Sequence, residues 1–437
     1  MRKPYSPQGL IFAIALSIAL HPGSSAAATD GAEQGLPPKS DVLQALDAHP
    51  SVTAANARTN AARAEAHVLA SGPHEFTLTT SYLSRTVHDS SGAGNGRFDE
   101  FEAQITRPIR LPGKAGLDRQ IGAQGVMYSQ NMAEDSLHQA ALRLAQGWWD
   151  WLGAVQEAAV DRQAAANYEA LLVSVQRRVA LRDASALDEA QVLAALDSTR
   201  AQSERSHGRE AVARARLSAQ FPKLALPGPV PDVPEPQLPP GGLAPLHDKI
   251  LGRSHELAAA EALARQSDAQ AERARRERTG DPSFGIRLFS EKGGMEKGAG
   301  VLFSIPFGGG YRSALADRAS AQANAAQADL QAVRLNMQET ADADLVEAET
   351  FFTAWQRARD SREAQMNALQ KIRRGRQLGE ISLADVLLAE RQVHEACRAE
   401  AMARTDAMRA LTRIRIDSHE LWIGDDEADT TTPSTGG

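Results

Sequence analysis

The chain has 437 residues, of which 42% are apolar and only 5% aromatic, and its formal net charge is −7. This acidic balance excludes the basic footprint of a nucleic-acid-binding protein. Abundant alanine, glutamine, glutamate, arginine and leucine favour long, closely packed helices over a thick globular core.

The amino terminus has the order of a secretory signal peptide. Arg2 and Lys3 precede an apolar run from Leu10 to Leu20, and small residues follow as far as Ala28. The run is too short to span a bilayer as a helix. Residues 1–28 are therefore predicted to be a cleaved signal peptide, the alternative being a buried core helix.

The rest of the sequence leaves strands as the only route into a membrane. No later stretch has about 18 consecutive apolar residues, so no transmembrane helix is predicted. Cys397, the only cysteine, lies in a helical pattern, and no cysteine follows the signal segment to accept a lipid anchor. If the exported chain enters a membrane, it must do so with strands.

The second half of the mature sequence repeats the pattern of the first half. In each half a helical segment precedes two strand patterns, a proline, a very long helical pattern and a returning helix, which indicates an internal duplication. The predicted domains are 29–220 (first repeat; strands 75–86 and 98–107, helices 114–180 and 186–219), 221–245 (proline-rich connector), 246–418 (second repeat; strands 283–289 and 299–305, helices 311–378 and 383–417) and 419–437 (polar, disordered tail). Because its prolines only forbid a continuous helix, the connector could be a flexible linker or a rigid segment packed against helices.

The long helical patterns predict helices that pack along other helices. From Tyr311 to Leu378 no proline occurs, and a helix of roughly 67 residues would extend ~100 Å. Apolar residues between Leu330 and Trp355 step by three or four, which is coiled-coil spacing.

The strand patterns have one apolar face and one mostly polar face. This alternation fits a half-buried soluble strand, and it also fits an outer-membrane strand between lipid and water. Export and glycine-rich polar hairpin loops favour the membrane. The candidate lipid-facing residues are Phe76, Leu78, Tyr82, Phe101, Ile105, Phe284, Ile286, Val301, Phe303 and Ile305. A membrane-spanning barrel needs about eight strands, and one chain supplies four. Several identical chains would therefore have to contribute their strands to one common barrel.

Two similar breaks separate each long helix from its returning helix. When the breaks are aligned, Leu181 meets Leu378, Ser185 meets Ser382, and Asp188 meets Asp385. The two serines suit helix N-caps, and the aspartates three residues later favour the positive end of the helix dipole.

Two sequence segments combine a strand ending in proline, a glycine turn and a basic residue that opens a long helix. They are "TRPIRLPGKAGLDRQ" and "FSIPFGGGYRSALADRASAQ". Together with "ASALDEAQVLAAL" and "GEISLADVLLAERQ", they resemble both repeats of the TolC-like outer-membrane efflux protein family, over residues 40–417. The variant "RLPGK" looks most like the heavy-metal (CzcC-like) branch.

This resemblance implies a mainly α fold with a four-stranded antiparallel contribution per chain. A homotrimer would form a twelve-stranded outer-membrane β-barrel that continues as a long periplasmic α-helical barrel. The implied function is the outer-membrane channel of a tripartite efflux system, which passively conducts metal cations or small toxic compounds. The implied partners are a periplasmic adaptor, an inner-membrane pump and outer-membrane lipid, with no nucleic acid. A duct for type I protein secretion and a soluble periplasmic coiled-coil adaptor or scaffold remain as alternatives.

No enzyme, cofactor or metal site is expected. The sequence has no G-x-S-x-G, H-E-x-x-H, P-loop or dinucleotide fingerprint, and its histidines are scattered. Trp148, Trp149, Trp151 and Trp355 are expected to be packing groups and not substrate stackers.

The breaks supply the candidate functional residues. The candidates for docking an adaptor are Ala180, Leu181, Arg182, Asp183, Leu378, Gly379, Glu380 and Ile381, and the alternative is that they only form tight turns. Leu181, Leu378 and Ile381 are expected to be exposed, and exposed apolar residues favour a contact. The periplasmic gate candidates are Asp385 and Asp188, although both could serve only as capping residues. Three copies of Asp385 would make an anionic ring, but Leu388 stands where some relatives have a second acid.

Overall fold

The computed structural model describes residues 35–88 and 96–424. The predicted signal peptide, most of the predicted tail and much of the first hairpin loop lie outside these residues. The described helices are α1 (Lys39–Asp47), α2 (Pro50–Ser71), α3 (Lys114–Ala180), α4 (Ala186–Gln220), α5 (Ala244–Gly252), α6 (His255–Glu277), α7 (Gly310–Gln377) and α8 (Leu383–Asp417). The described strands are β1 (Thr77–Val87), β2 (Gly96–Pro108), β3 (Ser283–Glu291) and β4 (Glu296–Ser304), with a 3₁₀ turn at Lys292–Gly294.

Two very long helices dominate the fold, as the sequence predicts. Helices α3 and α7 have 67 and 68 residues, so each is about 100 Å long. α3 packs against α2, α4, α6 and α8, and α7 packs against α5, α6 and α8. No helix in residues 35–88 and 96–424 is long and apolar enough to cross a membrane.

The helical segment before each pair of strands consists of two helices, where the sequence pattern suggests one. In the first half, the break lies at His49, just before Pro50 opens α2. The His49 ring accepts a hydrogen bond from the Ser51 amide. In the second half, Ser254 caps α6 by accepting from the Leu257 amide. A proline at the first helical position and a capping side chain both favour a new helix start.

The four strands form one antiparallel sheet in the order β1-β2-β3-β4. The central pair, β2 and β3, joins the two repeats, with Ile105 opposite Ile286. β1 and β4 are the two edges, and neither has a further strand partner in the described chain.

The main core lies where α3 meets α1, the end of α4 and the connector. Trp148, Trp149 and Trp151 are buried there, and the Trp149 indole donates to Thr412 Oγ1 at 2.9 Å. Phe221 and Val233 of the connector are buried in the same cluster. The connector is therefore a packed segment and not a flexible linker.

The end of the described chain also belongs to this core. Leu421 and Trp422 are 4% and 5% exposed and contact the tryptophan cluster. The predicted start of the disordered tail at residue 419 is therefore wrong for residues 419–424. The predicted boundary follows the end of the helical pattern. It overlooks Leu421 and Trp422, two apolar residues that pack onto the tryptophan core.

Candidate functional site: helical tips and an apolar sheet face

The first tip is the turn between α3 and α4. Leu181 donates its amide to the Arg177 carbonyl at 3.1 Å, and Asp183 donates its amide to the Arg178 carbonyl at 2.8 Å. Arg182 has a φ of +62°, in the left-handed region. An ion pair of 2.8 Å between Arg178 Nε and Asp183 Oδ2 closes the turn.

The second tip, between α7 and α8, repeats this geometry. Gly379, aligned with Arg182, has a φ of +81°. The Glu380 amide donates to the Gly375 carbonyl at 3.0 Å, which is the same six-residue closure. Left-handed backbone costs a non-glycine residue roughly 1–2 kcal/mol, so the first tip carries backbone strain that the second avoids.

Both returning helices begin with a serine cap, as predicted. Ser185 Oγ accepts from the Asp188 amide at 3.1 Å, and Asp188 Oδ2 accepts from the Ser185 amide at 2.9 Å. The hydrogen bond from the Ser185 amide is the main reason why the pKa of Asp188 lies below its usual value. Ser382 Oγ accepts from the Asp385 amide at 3.2 Å and donates its hydrogen to Asp385 Oδ2 at 2.6 Å. The two gate candidates thus serve as capping residues within the chain.

The apolar residues of the tips differ in exposure. Leu181 and Leu378 are 78% and 59% exposed, as expected. Ile381 is half-buried and not exposed, because its side chain covers Gly375. A Cβ added at Gly375 would lie 2.6 Å from Ile381 Cδ1. The expectation that Ile381 is an exposed apolar residue is therefore wrong. Leu187, which the sequence reading did not select, is 66% exposed beside the first tip.

A cleft of about 770 Å³ lies behind the tips, between the two repeats. Arg178, Arg373 and Arg376 line it, and Arg373 pairs with the buried Glu390 at 2.5 Å. Sequence reasoning missed these arginines, because a helical arginine is ordinarily a solvated residue. Their only sequence signal is their position within the last two turns before each break.

All ten candidate lipid-facing residues are 42–89% exposed. The register places Leu78, Ile105, Ile286 and Val301 in one row across the sheet. Because side chains alternate along a strand, the candidates within the strands share one face, and Phe76 and Ile305 continue the same alternation. Leu288, 56% exposed, belongs to the same face and was not selected.

The opposite face of the sheet carries paired charges. Arg85 pairs with Glu100 at 2.6 Å, and Arg287 pairs with Glu102 at 2.8 Å. The sheet therefore separates an apolar surface from a charged one, although it has no core on its apolar side in a single chain. Nowhere in the described residues do three histidine, cysteine, aspartate or glutamate side chains form a group that could hold a metal ion.

A sheet of this kind at one end of ~100 Å helices is a fold that the chain shares with solved outer-membrane channels. The chain matches the crystal structure of a membrane protein from Pseudomonas aeruginosa at 20% identity, with a TM-score of 0.72 over 87% of this chain and 93% of that one. It matches VceC, an outer membrane protein of Vibrio cholerae, at 14% identity and a TM-score of 0.72 over 87% and 95% of the two chains. It matches CusC, in structures that describe transmembrane channel formation, at 16% identity and a TM-score of 0.67 over 90% and 95%. No protein-family model and no curated protein matches the sequence.

Proposed function

We propose that this protein is the outer-membrane channel of a tripartite efflux system and passively conducts small toxic compounds or metal cations. The observation that carries the proposal is an exposed apolar sheet face at one end of two helices about 100 Å long. An apolar face of this extent needs cover, and hydrocarbon covers it if the sheet crosses the outer membrane. The VceC and CusC likenesses support the same assignment.

The channel is a homotrimer in this proposal. Within the described residues, the sheet of each chain has two edge strands, β1 and β4, without a further strand partner, and exposed edges pair readily with another chain. Three chains would join edge to edge into twelve strands, with the ion-paired face toward a water-filled interior. The long helices would continue this path through the periplasm.

The helical tips dock a periplasmic adaptor, which connects the channel to an inner-membrane pump. Support comes from Leu181 and Leu378, which stay exposed although the Val175–Val192–Leu383 cluster lies close behind them. The double variant L181D/L378D should fail to restore compound or metal resistance to a deletion strain, while L181M/L378M should restore it. Both variants must reach the outer membrane as trimers for the comparison to count. Full restoration by the aspartate variant would mean that the tips are only turns.

The mouth of the channel carries an anionic ring of three Asp385 carboxylates. Asp385 is exposed at the start of α8, so its carboxylate can contribute charge as well as capping. In planar bilayers, D385N should weaken cation attraction to the periplasmic mouth, because the amide keeps the capping geometry and removes the charge. Unchanged cation dependence would leave capping as the role of Asp385.

The decisive experiment is fractionation of the mature protein, followed by light scattering in detergent. An outer-membrane species with three times the chain mass is the expected result, and a soluble periplasmic monomer would contradict the proposal. A deletion strain then separates efflux from protein secretion. Lost resistance to compounds or metals with intact secretion is expected, and the reverse phenotype would favour a type I secretion duct.

A further inference from the structure

We propose that Arg107 forms a phospholipid headgroup site at the helix-proximal end of the apolar sheet face, where its guanidinium binds the lipid phosphate. The inference rests on the proposed function, because it requires the sheet to lie in the outer membrane. It adds a specific lipid contact to the general apolar surface described above.

Arg107 continues the apolar face of β2. It follows Phe101, Ala103 and Ile105 at alternate positions and lies opposite Phe284 of β3. The residue is exposed. A single cation therefore stands at the end of a row of lipid-facing side chains, at the level where the apolar band meets the start of the long helices.

The charge of Arg107 has no counterpart in the described chain. Arg85 and Arg287, on the opposite face, are both paired with glutamates. Arg97 lies on the apolar face at the other end of β2, but Asp99 follows two residues later on the same face. Arg107 forms no ion pair with any carboxylate among residues 35–88 and 96–424. An unpaired cation beside hydrocarbon favours an external anion.

The guanidinium is already oriented for such an anion. Arg107 Nε donates to the His74 carbonyl at 2.9 Å, and the guanidinium carbon lies 4.8 Å from the centroid of the Phe76 ring. These contacts hold the planar group and leave its two terminal nitrogens without a protein acceptor in the described part of the chain. Two parallel N–H donors of arginine match two oxygens of a phosphate.

An apolar groove of about 700 Å³ lies directly beside this cation. Its apolar lining includes Phe76, Ile105, Phe284 and Val301. Arg110 also lines the groove, but it is paired with Asp118 at 3.3 Å. The groove can take an acyl chain while Arg107 takes the phosphate of the same molecule, which favours a phospholipid over a free anion.

The position of Arg107 along the chain indicates which leaflet of the outer membrane supplies the lipid. Lys114 opens α3 shortly after Arg107, so this end of the sheet faces the periplasm when the helices do. Phe284 and Phe303 contact each other there in a tilted arrangement with ring centroids 4.6 Å apart, and aromatic residues are common at the edge of the apolar band of outer-membrane barrels. The occupant is therefore a phospholipid of the periplasmic leaflet.

The test uses the full mature chain, purified in detergent and titrated with phosphatidylglycerol under native mass spectrometry. R107Q should bind this lipid about five-fold more weakly per site than wild type, the factor that corresponds to about 1 kcal/mol per basic residue near a lipid surface. R107K should be intermediate, since lysine keeps the charge and loses the two-pronged geometry. R85Q, the same change on the ion-paired face, should leave lipid binding unchanged. Trimer mass and helical circular dichroism confirm that each variant is folded.

Two further ligands show whether the site recognises the phosphate, the acyl chains or both. Diacylglycerol with the same acyl chains should bind wild type and R107Q equally, because it lacks the phosphate. Inorganic phosphate should not displace phosphatidylglycerol at millimolar concentration, and displacement would mean an anion site without a lipid. Equal phosphatidylglycerol binding by wild type and R107Q, in trimers from the outer membrane, would overturn the headgroup site and leave the channel proposal intact. A wild-type chain that is a soluble monomer without lipid binding would overturn both.

Discussion

The buried carboxyl of Asp344 makes the stability of the helical body depend on pH. Asp344 lies on α7, is 2% exposed, and faces Asp417 of α8. Burial, reinforced by the neighbouring carboxyl of Asp417, raises the pKa of Asp344 from 3.8 to about 8. Arg413 Nε lies 2.9 Å from Asp344 Oδ1 and opposes this shift only in part. This raised pKa predicts that Asp344 is protonated at neutral pH.

The sign and size of the effect follow from proton linkage. Between pH 3.8 and 8 the folded chain holds a proton that the unfolded chain releases. The free energy of unfolding therefore falls as pH rises, by up to about 1.4 kcal/mol per pH unit. From pH 3.8 to pH 7 the loss is at most about 4 kcal/mol. Burial would raise the pKa of Asp417, but the hydrogen bond with His138 and the charge of Arg413 help to lower it below its usual value. Ionisation of Asp417 therefore affects the free energy of unfolding only at more acidic pH.

The variant D344N should remove this dependence. Its amide keeps the shape of the protonated acid beside Asp417 and Arg413, and it cannot ionise. We expect similar thermal midpoints for wild type and D344N near pH 4, a gap in favour of the variant that widens by roughly 2–3 °C per pH unit, and a plateau above pH 8. Circular dichroism of the helices at several pH values measures this gap.

The matched control is D329N, which removes an exposed carboxylate from the same helix. Its midpoint should run parallel to that of wild type at every pH. If the gap between D344N and wild type is also constant from pH 4 to pH 9, then Asp344 is ionised at neutral pH and the argument from burial is refuted.

Other substitutions test the backbone, the ion pairs and the helix packing. R182G should raise the thermal midpoint by the equivalent of about 1 kcal/mol and G379A should lower it similarly, because both residues have left-handed backbone; midpoints equal to wild type would contradict the strain argument. D161A removes a fully buried carboxylate that Arg398 contacts at 2.6 Å, and urea unfolding should show a loss on the order of 3 kcal/mol. A wild-type urea midpoint would mean that water replaces the carboxylate without cost. G122A places a Cβ 2.9 Å from the backbone of α2, so we expect a loss of about 1–3 kcal/mol and faster hydrogen exchange in α2. Unchanged exchange would show that the two helices separate freely.

Several parts of the candidate site follow from local sequence signals. The Ser185 and Ser382 caps are recognisable because a serine followed three residues later by an acid satisfies the amides at a helix start. The strand faces are recognisable because side chains alternate with a period of two. Gly379 marks its turn because glycine adopts left-handed backbone without steric cost. Arg182 occupies the equivalent position without that signal, and only the observed φ reveals it.

Contacts between distant segments had no such signal. Asp161 and Arg398 are 237 residues apart, and their pairing depends on how α3 and α8 cross. The arginine-lined cleft and the half-buried state of Ile381 likewise depend on which helix faces meet. Asp344 has the same polar side chain as the exposed aspartates along α7, so its raised pKa comes chiefly from burial, reinforced by Asp417.

The sequence by itself determined the long helices, the duplication, the two capped tips and the apolar face of the strands, because each depends on residues close together along the chain. The tertiary structure decided the pairing of β2 with β3, the packing of the connector and residues 419–424 into the tryptophan core, and the isolation of Arg107 from every carboxylate in the described chain. These features depend on distances between segments far apart in sequence. Local periodicity carries no information about such distances, whereas burial and charge balance are set by them.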